Sequence, residues 1–485
     1  MKKFMKYYWN VKKLISFHPL FEMVLILVLS SSSFAITLND NGQISATQVS
    51  RVIHVKSETD ILNAIQKANN EHVPIAIMGR QHSQGGQSLA FKAIELDMLS
   101  FNRILRVDQK KKQVTVQSGI TWGDLQKYIN RYNLAIKSMQ SPNIFTVGGS
   151  MSVNAHGDDF RAGAVGNSMV AFNILLANGK KVSVTPTVNP KLWSAVIGGY
   201  GLFGVVTDVT LQLTDNVLLV SQYQAIGLDD FAKYFREKVL NKKDVTLFYA
   251  HLNVVPDVNF LQDMYVITYV DIKKLPNEVI PLDNPDKWNA ILTPIFNISR
   301  HGKLGKEWRW SMEKRIFKKI YNSRVVTRNN AMEKPVKFAS NHYSKYNADW
   351  LQEYFIPVNQ LSEFIRTLRP IILENNINLL NVTIRYVPAE SNIILPYAKK
   401  NCFAVVLYFN QDLSVSAVKN AKSWTQKLID AALSMGGNYY LPYQNFASDA
   451  QFKRAYLGYE KIIELKKIYD PKNIFTNRLY QTYFK

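Results

Sequence analysis

Two histidines in glycine-rich surroundings are the side chains of this sequence best suited to chemistry. His82 lies at the centre of PIAIMGRQHSQGGQ, residues 74–87, and His156 lies in TVGGSMSVNAHGDDFRAGAVGN, residues 146–167. Glycines let the backbone turn sharply and bring its N–H groups close to a ligand, which suits a loop that cradles phosphate. Taken alone, however, the first stretch is more often an ordinary glycine-rich turn with a solvent-facing histidine.

The position of the His82 loop favours a binding role. Residues 51–55 alternate like a strand, Ser57 and Asp60 form a helix-start signature, and residues 74–78 are an apolar run typical of a buried strand. This strand–helix–strand order predicts a βαβ-like unit. The loop then follows the carboxyl end of the second strand, where open α/β sheets bind ligands.

Several other chemistries lack their usual signals. The chain has no His/Cys cluster with metal-ligand spacing, no P-loop and no G-x-S-x-G elbow. Residues 199–204 match the dinucleotide pattern G-x-G-x-x-G, but VVTDVTLQL follows and alternates as a strand, whereas the fingerprint requires a helix there. The single cysteine, Cys402, excludes an intrachain disulfide and is interpreted as a small buried hydrophobe.

Composition predicts a globular protein with a strong positive charge. The 485 residues are 47% hydrophobic, enough for two domains, and the formal net charge is +22. Such a charge favours anionic surfaces such as lipid headgroups or nucleic acid, or else forms a solvated basic face. Residues 300–337 are rich in Lys, Arg and aromatic residues. They predict a helical segment that either rests on a membrane surface or is solvated with its aromatic residues in the core.

The N-terminus resembles a targeting segment. Lysines precede an apolar run at residues 23–29, and small residues follow at Ser33 and Ala35. This pattern predicts a secretory signal peptide cut after Ala35, with an uncleaved membrane anchor as the alternative. In both cases we expect the body of the protein outside the cytoplasm, in a periplasmic or extracellular space.

The remaining chain predicts a second α+β region after a boundary near Asp215. Asn178-Gly179 between two apolar runs is a hairpin signal, and residues 146–167 are expected to lack regular structure. Strands are predicted at 247–255, 264–269, 354–358, 379–387 and 403–409, and helices at 359–374, 414–435 and 452–469. Helices alternating with strands in this way predict a sheet covered by helices on one face.

Four stretches together resemble the vanillyl-alcohol-oxidase/PCMH family of FAD enzymes. They are GRQHSQGGQ (79–87), TVGGSMSVNAHG (146–157), GGYGLFGVVTDVTLQL (198–213) and YDPKNIFTNRL (469–479). The chain is most similar to the branch that holds sugar-lactone oxidases, alditol oxidases and decaprenylphosphoryl-ribose oxidases. The resemblance implies an α+β fold with a two-part PCMH-type FAD-binding domain and a substrate (cap) domain whose antiparallel sheet is covered by helices.

The resemblance also implies domain bounds. The FAD-binding domain would occupy residues 46–215 and the cap domain residues 216–448. A C-terminal segment, 449–485, would return to the first domain.

FAD is the cofactor that the resemblance implies, bonded through a ring nitrogen of His82 to the flavin 8α-methyl group. The later glycine-rich stretch has no cysteine, so the attachment would be single at most. The first loop would surround the pyrophosphate, and the second would run along the flavin. The implied cofactor-binding residues are Gly79, Arg80, Gln81, His82, Ser83, Gln87, Val147, Gly148, Gly149, Ser152, Asn154, His156, Gly157, Gly204, Val205 and Asn477.

Three residues are the implied catalytic groups. Arg385, in NVTIRYVPA, corresponds to a cationic residue that stabilises an alkoxide or reduced flavin, although an arginine on a surface strand is the alternative. Tyr443 stands where relatives have a lysine, and Tyr354 is expected to line the same cavity. The chain departs from the alditol oxidases at Thr383, where those enzymes carry an acid.

The implied function is oxidation of a CH–OH group of a sugar, polyol or lactone by hydride transfer to covalently bound FAD. Oxygen or another acceptor would take the electrons. No metal and no nucleic-acid partner are expected. The alternatives are a membrane-associated oxidase of a lipid-linked sugar, and a flavin-free protein that binds anionic glycans or lipids.

Overall fold

A small parallel sheet carries the His82 loop. The structure, a computed structural model, describes residues 36–333 and 344–484. Its first elements are β1 (Ile36–Leu38), β2 (Thr47–Val49), β3 (Arg51–His54), α1 (Glu58–Glu71), β4 (Ile75–Met78) and β5 (Ile94–Asp97). Ser57 and Asp60 form the predicted capping box of α1. The strands are ordered β3-β5-β4, so β5 lies between the two strands that the sequence predicted.

A six-stranded antiparallel sheet follows. Its elements are β6 (Ile104–Asp108), β7 (Gln113–Gln117), α2 (Trp122–Asn130), β8 (Leu134–Ile136), α3 (Val147–Ser152), β9 (Met169–Leu175), β10 (Lys181–Val184), α4 (Pro190–Val196) and β11 (Val205–Asp215). The strand order is β10-β9-β11-β7-β6, and β8 also pairs with β11. The predicted hairpin joins β9 to β10, with Gly179 at φ 79°. Residues after Gly204 form β11, so the dinucleotide pattern was rightly set aside.

An eight-stranded antiparallel sheet dominates the rest of the chain. Its elements are β12 (Leu218–Gly227), α5 (Leu228–Tyr234), β13 (Val245–Leu252), β14 (Asp263–Asp271), α6 (Asn289–Ile298), α7 (Lys303–Tyr321), β15 (Val325–Thr327), α8 (Arg328–Met332), β16 (Asn347–Pro357), α9 (Leu361–Glu374), β17 (Asn378–Val387), β18 (Cys402–Asp412), α10 (Val415–Ser434) and β19 (Asn438–Tyr439). The order is β15-β12-β14-β13-β17-β18-β16-β19. Helices α9 and α10 pack against β16, on the face opposite the cavity described below. The fold is therefore α+β with an antiparallel sheet covered by helices, as predicted.

The C-terminal residues form α11 (Asp449–Ala455), α12 (Tyr459–Tyr469) and α13 (Arg478–Tyr483). Between α12 and α13, Ile75 of β4 donates to the carbonyl of Ile474 at 2.6 Å and accepts from the amide of Thr476 at 3.0 Å. The end of the chain thus joins the edge of the parallel sheet.

Three local predictions were wrong. The stretch 146–167 contains the short helix α3, whose N-cap is Thr146. The glycines at 148 and 149 permit close packing and do not prevent a helix of six residues. The tail forms two helices because the chain leaves the helical conformation at Tyr456 (φ −122°, ψ 72°) and begins a new helix after Gly458, where a Cβ would lie 2.1 Å from the carbonyl oxygen of Ile394. Strand β16 begins at Asn347, well before the predicted start at Tyr354, because its polar residues are buried and paired.

The basic segment at residues 300–337 is held to the protein by buried cations. Arg300 forms a two-pronged ion pair with Asp349, and Lys306 donates to the carbonyl of Leu379 at 2.6 Å. Arg309 donates to the carbonyl of Leu380. The inner aromatic residues of α7, Trp310 and Phe317, pack on the sheet, as the solvated-helix interpretation expects.

The predicted leader, residues 1–35, lies outside the described residues, as do residues 334–337 of the basic segment. Within 36–333 and 344–484, no helix has both the length and the apolar character needed to cross a bilayer. From Leu38 onward the described residues form a single compact unit.

Replacing Arg300 by Met should destabilise the protein strongly. The change leaves the Asp349 carboxylate buried without its cation, which typically costs about 3–5 kcal/mol. The free energy of unfolding in urea measures the loss. Arg366→Met, which removes an exposed ion pair with Asp229, is the control and should change it by no more than about 1 kcal/mol. Equal effects of the two substitutions would contradict the anchoring role of Arg300.

Candidate active site

One cavity of about 800 Å³ joins the glycine-rich loops to one face of the eight-stranded sheet. This volume is within the usual range for cofactor and small-molecule sites. The predicted site residues that line it are Gly79, Arg80, Gln81, His82, Ser83, Gln87, Gly148, Gly149, Ser152, Gly204, Val205, Arg385 and Tyr443. The fold thus brings the two loops near the substrate-side residues, although Arg385 and Tyr443 lie about 300 residues or more beyond the first loop.

Two glutamines clamp the His82 loop to the segment that carries Tyr443. Gln87 donates from Nε2 to the carbonyl oxygens of Leu441, at 2.6 Å, and Tyr443, at 2.7 Å. The side-chain oxygen Oε1 of Gln84 accepts from the backbone amide of Leu351 at 2.8 Å, and the backbone amide of Gln84 donates to the carbonyl of Pro442 at 2.8 Å. Both glutamines are buried, so these bonds are shielded from competing water.

Glycines let the two loops approach each other. A Cβ at Gly79 would lie 2.5 Å from Oγ1 of Thr146, the residue that caps α3, and one at Gly148 would lie 2.8 Å from the side chain of Ser118. Gln81 adopts a left-handed conformation, φ 54°, which a non-glycine residue rarely adopts without a constraint from its surroundings. The loop backbone is therefore held in a fixed shape beside the cavity.

His82 is electrically neutral at ordinary pH. Its ring packs at 4.6 Å, between centroids, from Phe145. Burial lowers the pKa of the imidazole to about 4, and the nearby charge of Arg80 contributes. A neutral imidazole keeps a free lone pair on one ring nitrogen, which makes that nitrogen a nucleophile.

Arg385 is positioned by β17 and by an acid from the second glycine-rich stretch. Asn381, Thr383 and Arg385 alternate along β17 and all line the cavity. Arg385 donates from Nε to Oδ1 of Asp158 at 3.1 Å. Asp158 thus supplies an acidic partner for Arg385 from outside β17. On β17 itself, Thr383 stands where the resemblance to alditol oxidases implies an acid.

Tyr443 belongs to a buried chain of polar groups. Its hydroxyl donates to Oε2 of Glu353 at 3.3 Å, and Oε1 of Glu353 lies 2.5 Å from Nε2 of His156. Burial and the Glu353 carboxylate raise the pKa of Tyr443 well above its ordinary value. Tyr443 is therefore protonated, and it accepts a further proton only as its own moves to Glu353.

The sequence did not reveal His251, Glu353 or Asp158. His251 lines the cavity opposite Thr383 in the β13–β17 register, and its Nδ1 lies 2.8 Å from Oδ1 of Asn381. Its place in the alternating run at 247–255 was the one available signal. The partners of Glu353 and Asp158 depend on contacts between distant segments, which no local pattern encodes.

The expectation that Tyr354 lines the cavity was wrong. Strand β16 directs Asp349 and Leu351 into the cavity, and therefore turns Tyr354 to the opposite face. There the Tyr354 hydroxyl donates to Gln352 at 2.7 Å and its ring packs on Phe364 of α9.

Five expected cofactor ligands do not line the cavity: Val147, Asn154, His156, Gly157 and Asn477. Asn154 bonds the amide of Gly166 and the carboxylate of Glu390, and Asn477 bonds the carbonyl of Tyr200. His156 is enclosed by Phe355, Tyr397 and Tyr440. These side chains support the walls, and the cavity lining gives no support for their direct contact with FAD.

Buried polar groups in the cavity wall fit a polar cofactor. Gln81 Nε2, Ser88 Oγ and Glu333 Oε2 are inaccessible to water and have no hydrogen-bond partner in the described part of the chain. Such groups are costly unless a ligand or water satisfies them. Gln81 and Ser88 belong to the first glycine-rich loop and its continuation, where a dinucleotide has many oxygens and nitrogens to offer.

Residues 49–185 match the family model described as an FAD binding domain. The chain therefore carries a PCMH-type FAD binding domain, in agreement with the resemblance of its glycine-rich stretches. This domain includes both of those loops and the hairpin β9–β10.

The relatives found by sequence comparison include sugar-lactone oxidases. A putative D-arabinono-1,4-lactone oxidase of Neurospora crassa is 30% identical over 33% of this chain and 29% of its own length. L-gulonolactone oxidase of Bos taurus is 28% identical over 32% of this chain and 35% of its own. The chain thus matches only about a third of these relatives. L-gulonolactone oxidase of Scyliorhinus torazame is 22% identical, but over 88% of this chain and 93% of its own length.

The lowered pKa of the partly buried His82 should appear as a pH-dependent stability. Its pKa falls from 6.5 to about 4 on folding, so the unfolded chain binds more protons between these values and the free energy of unfolding falls as pH is lowered. Between pH 7 and 5, flavin-free protein should lose about 1–2 kcal/mol more than its His82→Gln variant. Urea titrations at the two pH values measure this difference, and identical losses would contradict a neutral, buried His82.

Proposed function

We propose that the protein is an FAD-dependent oxidoreductase that oxidises a CH–OH group of a sugar, polyol or lactone. The observation that carries the proposal is the cavity of about 800 Å³, which is lined by the His82 loop, by Gly148 and Gly149 of α3, and by Arg385 and Tyr443. The lactone oxidases among its relatives support the substrate class. FAD supplies the hydride acceptor when bound, and the protein residues bind and orient the reactants and move the proton.

Residues 46–215 are proposed to hold FAD, residues 216–448 to cap it, and residues 449–485 to return to the first domain. The backbone of Gly79–Ser83 and the side chains of Arg80, Gln81 and Ser88 would hold the polar part of the cofactor. The C-terminal return at Ile75 supports this division because it ties the last segment to the strand that precedes the His82 loop.

His82 is proposed as the covalent attachment point. One ring nitrogen would replace a hydrogen of the flavin 8α-methyl group. The proton would pass to solvent, and the electron pair would leave through the flavin to the acceptor used in turnover. The depressed pKa of His82 supports this role because the imidazole keeps its lone pair throughout the physiological pH range.

Arg385 and Tyr443 are proposed to act on the substrate hydroxyl. As hydride leaves the carbon, negative charge develops on the oxygen unless its proton is removed. Tyr443 can accept that proton while passing its own to Glu353, and Arg385 can stabilise the remaining charge. The hydrogen bond from Nε to Asp158 holds the guanidinium in place, and its positive charge is spread over all three nitrogens.

Covalent attachment is tested by denaturing the purified protein and examining a gel for flavin fluorescence. Wild type should fluoresce and His82→Ala should not, because the attacking nitrogen is removed. His54→Ala, at a mostly exposed histidine far from the cavity lining, is the matched control and should fluoresce like wild type. Fluorescence retained in His82→Ala would assign the link to another residue.

The catalytic assignment is tested by anaerobic reduction of the bound flavin. A screen of sugars, polyols and lactones first identifies a substrate that bleaches the flavin absorbance. Arg385→Met should then slow reduction by about 10²–10³-fold, and Tyr443→Phe by about 10²-fold or more, because charge stabilisation and proton uptake are lost. The flavin spectrum before substrate should be unchanged.

Arg161→Met is the control for the catalytic test. Arg161 bonds backbone carbonyls of residues 239–245 and does not line the cavity. Reduction of its flavin should proceed at the wild-type rate. An Arg385→Met variant with unchanged reduction would remove Arg385 from the site.

A further inference from the structure

The cavity extends beyond Arg385 into an apolar compartment between the sheet and helices α6 and α7. Its helical wall is mainly apolar: it includes Ile291, Leu292 and Ile295 of α6 and Met312, Ile316 and Ile320 of α7, with the polar side chains of Arg309 and Glu313 beside them. Its sheet wall is aromatic, with Tyr249 of β13 and Tyr265 and Tyr269 of β14. The surface of a sugar or lactone is rich in hydroxyl groups, and these would lose hydrogen bonds to water against walls that are mainly apolar.

The aromatic wall is formed by rings that stack on one another. The ring of Tyr265 stacks on His251, with centroids 5.3 Å apart, and on Trp310 of α7 at 5.4 Å. Burial raises the pKa of Tyr249, Tyr265 and Tyr269 well above the ordinary value, as expected where water has little access. The stack therefore joins the polar end of the cavity, at His251, to the apolar compartment.

Polar contacts help to fix the helices against the sheet. Arg300, between α6 and α7, is held by Asp349, and Lys306 and Arg309 are held by carbonyls of residues 379 and 380. These contacts lie before or within the first half of α7. The second half of the helix then presents Met312, Ile316 and Ile320 along the cavity at helical spacing.

The compartment opens to solvent between its isoleucines. Ile291 is 56% exposed, Ile316 40% and Ile320 41%, although all three line the cavity. Large apolar side chains that are clustered and exposed at a cavity mouth mark a place where apolar surface is covered on binding. An open mouth also lets a long group enter from solvent and reach inward along the walls.

We propose that this compartment binds the hydrocarbon chain of an amphiphilic substrate, whose oxidisable head lies at Arg385 and Tyr443. This inference rests on the proposed function and narrows its substrate class to alcohols or lactones that carry a long apolar chain. The continuity of the compartment with the site carries the inference, because a chain bound there is connected directly to a head at Arg385.

The test measures binding of n-alkyl glucosides, from methyl to dodecyl, to the flavin-loaded protein by calorimetry below their micelle concentrations. Each methylene that enters the compartment should tighten binding about three- to fourfold, until the compartment is full. Ile295→Asn and Ile295→Trp, at a half-buried position, should each weaken binding of the octyl and longer glucosides at least tenfold while binding of the methyl glucoside is unaltered. Ile295→Asn makes the compartment polar and Ile295→Trp fills it. A loss of long-chain binding in both variants, with binding of the methyl glucoside kept, therefore reports on the compartment and not on a loss of folding.

The control is Leu304→Asn, on α7 but 81% exposed and absent from the cavity lining, which should bind every glucoside like wild type. Affinity that does not depend on chain length, or that survives both Ile295 substitutions, would overturn the inference. Binding can be measured without turnover. If affinity depends on chain length but no alcohol reduces the flavin, the proposed function is refuted and the compartment is not. Flavin reduction by short sugars without chain-dependent affinity would refute the compartment alone.

A second arm separates a substrate chain from a free fatty acid. A dodecyl lactone or glycoside should reduce the flavin at lower concentration than its methyl counterpart, by the same factor as its binding is tighter. Dodecanoate should bind without reducing the flavin and should compete with the dodecyl substrate. Tight dodecanoate binding combined with equal reduction by short and long substrates would overturn the assignment of the compartment to the substrate.

Discussion

One face of strand β16 holds together the parts of the molecule that surround the cavity. Asp349, Leu351 and Glu353 follow one another at every second position and point the same way. The Asp349 side chain fixes Arg300 and its backbone carbonyl accepts from Gln84, the Leu351 amide donates to Gln84, and Glu353 bonds both His156 and Tyr443. A shift of β16 by one residue would turn these three side chains to the face covered by α9 and α10. The His82 loop, helices α6 and α7, and Tyr443 would then lose their contacts with β16.

Polar groups that line the same cavity have pKa values shifted in different directions. Burial lowers the pKa of His82 and raises the pKa of Tyr443. The guanidinium of Arg385 forms an ion pair with Asp158. Burial therefore keeps the imidazole unprotonated and the phenol protonated, which are the states that the proposed attachment and the proposed proton relay require.

Local chemistry made much of the fold predictable. The Ser57–Asp60 capping box, the turn at Asn178-Gly179 and the alternation after Gly204 each involve neighbouring residues, and each was correctly interpreted. The break between the two C-terminal helices was missed although Gly458 lies there, since the close neighbour of this glycine, the carbonyl of Ile394, is distant in sequence. The two-fold alternation of a strand also leaves its inward face undefined until the sheet is assembled, which is why Tyr354 was assigned to the cavity and Glu353 was overlooked.

The boundary between the polar and apolar parts of the cavity gives the site a way to use binding energy. His251 contacts Asn381 on the polar side and stacks on Tyr265, which in turn stacks on Trp310 of α7. A hydrocarbon chain that fills the space under α7 would tether its head to within reach of Arg385, and would displace water from the compartment as it did so. Contacts remote from the reacting carbon would then restrict the head to orientations from which hydride can leave. In this arrangement the aromatic stack would lie between the hydrocarbon chain, which binds by burial of apolar surface, and the head, which binds through the charge of Arg385.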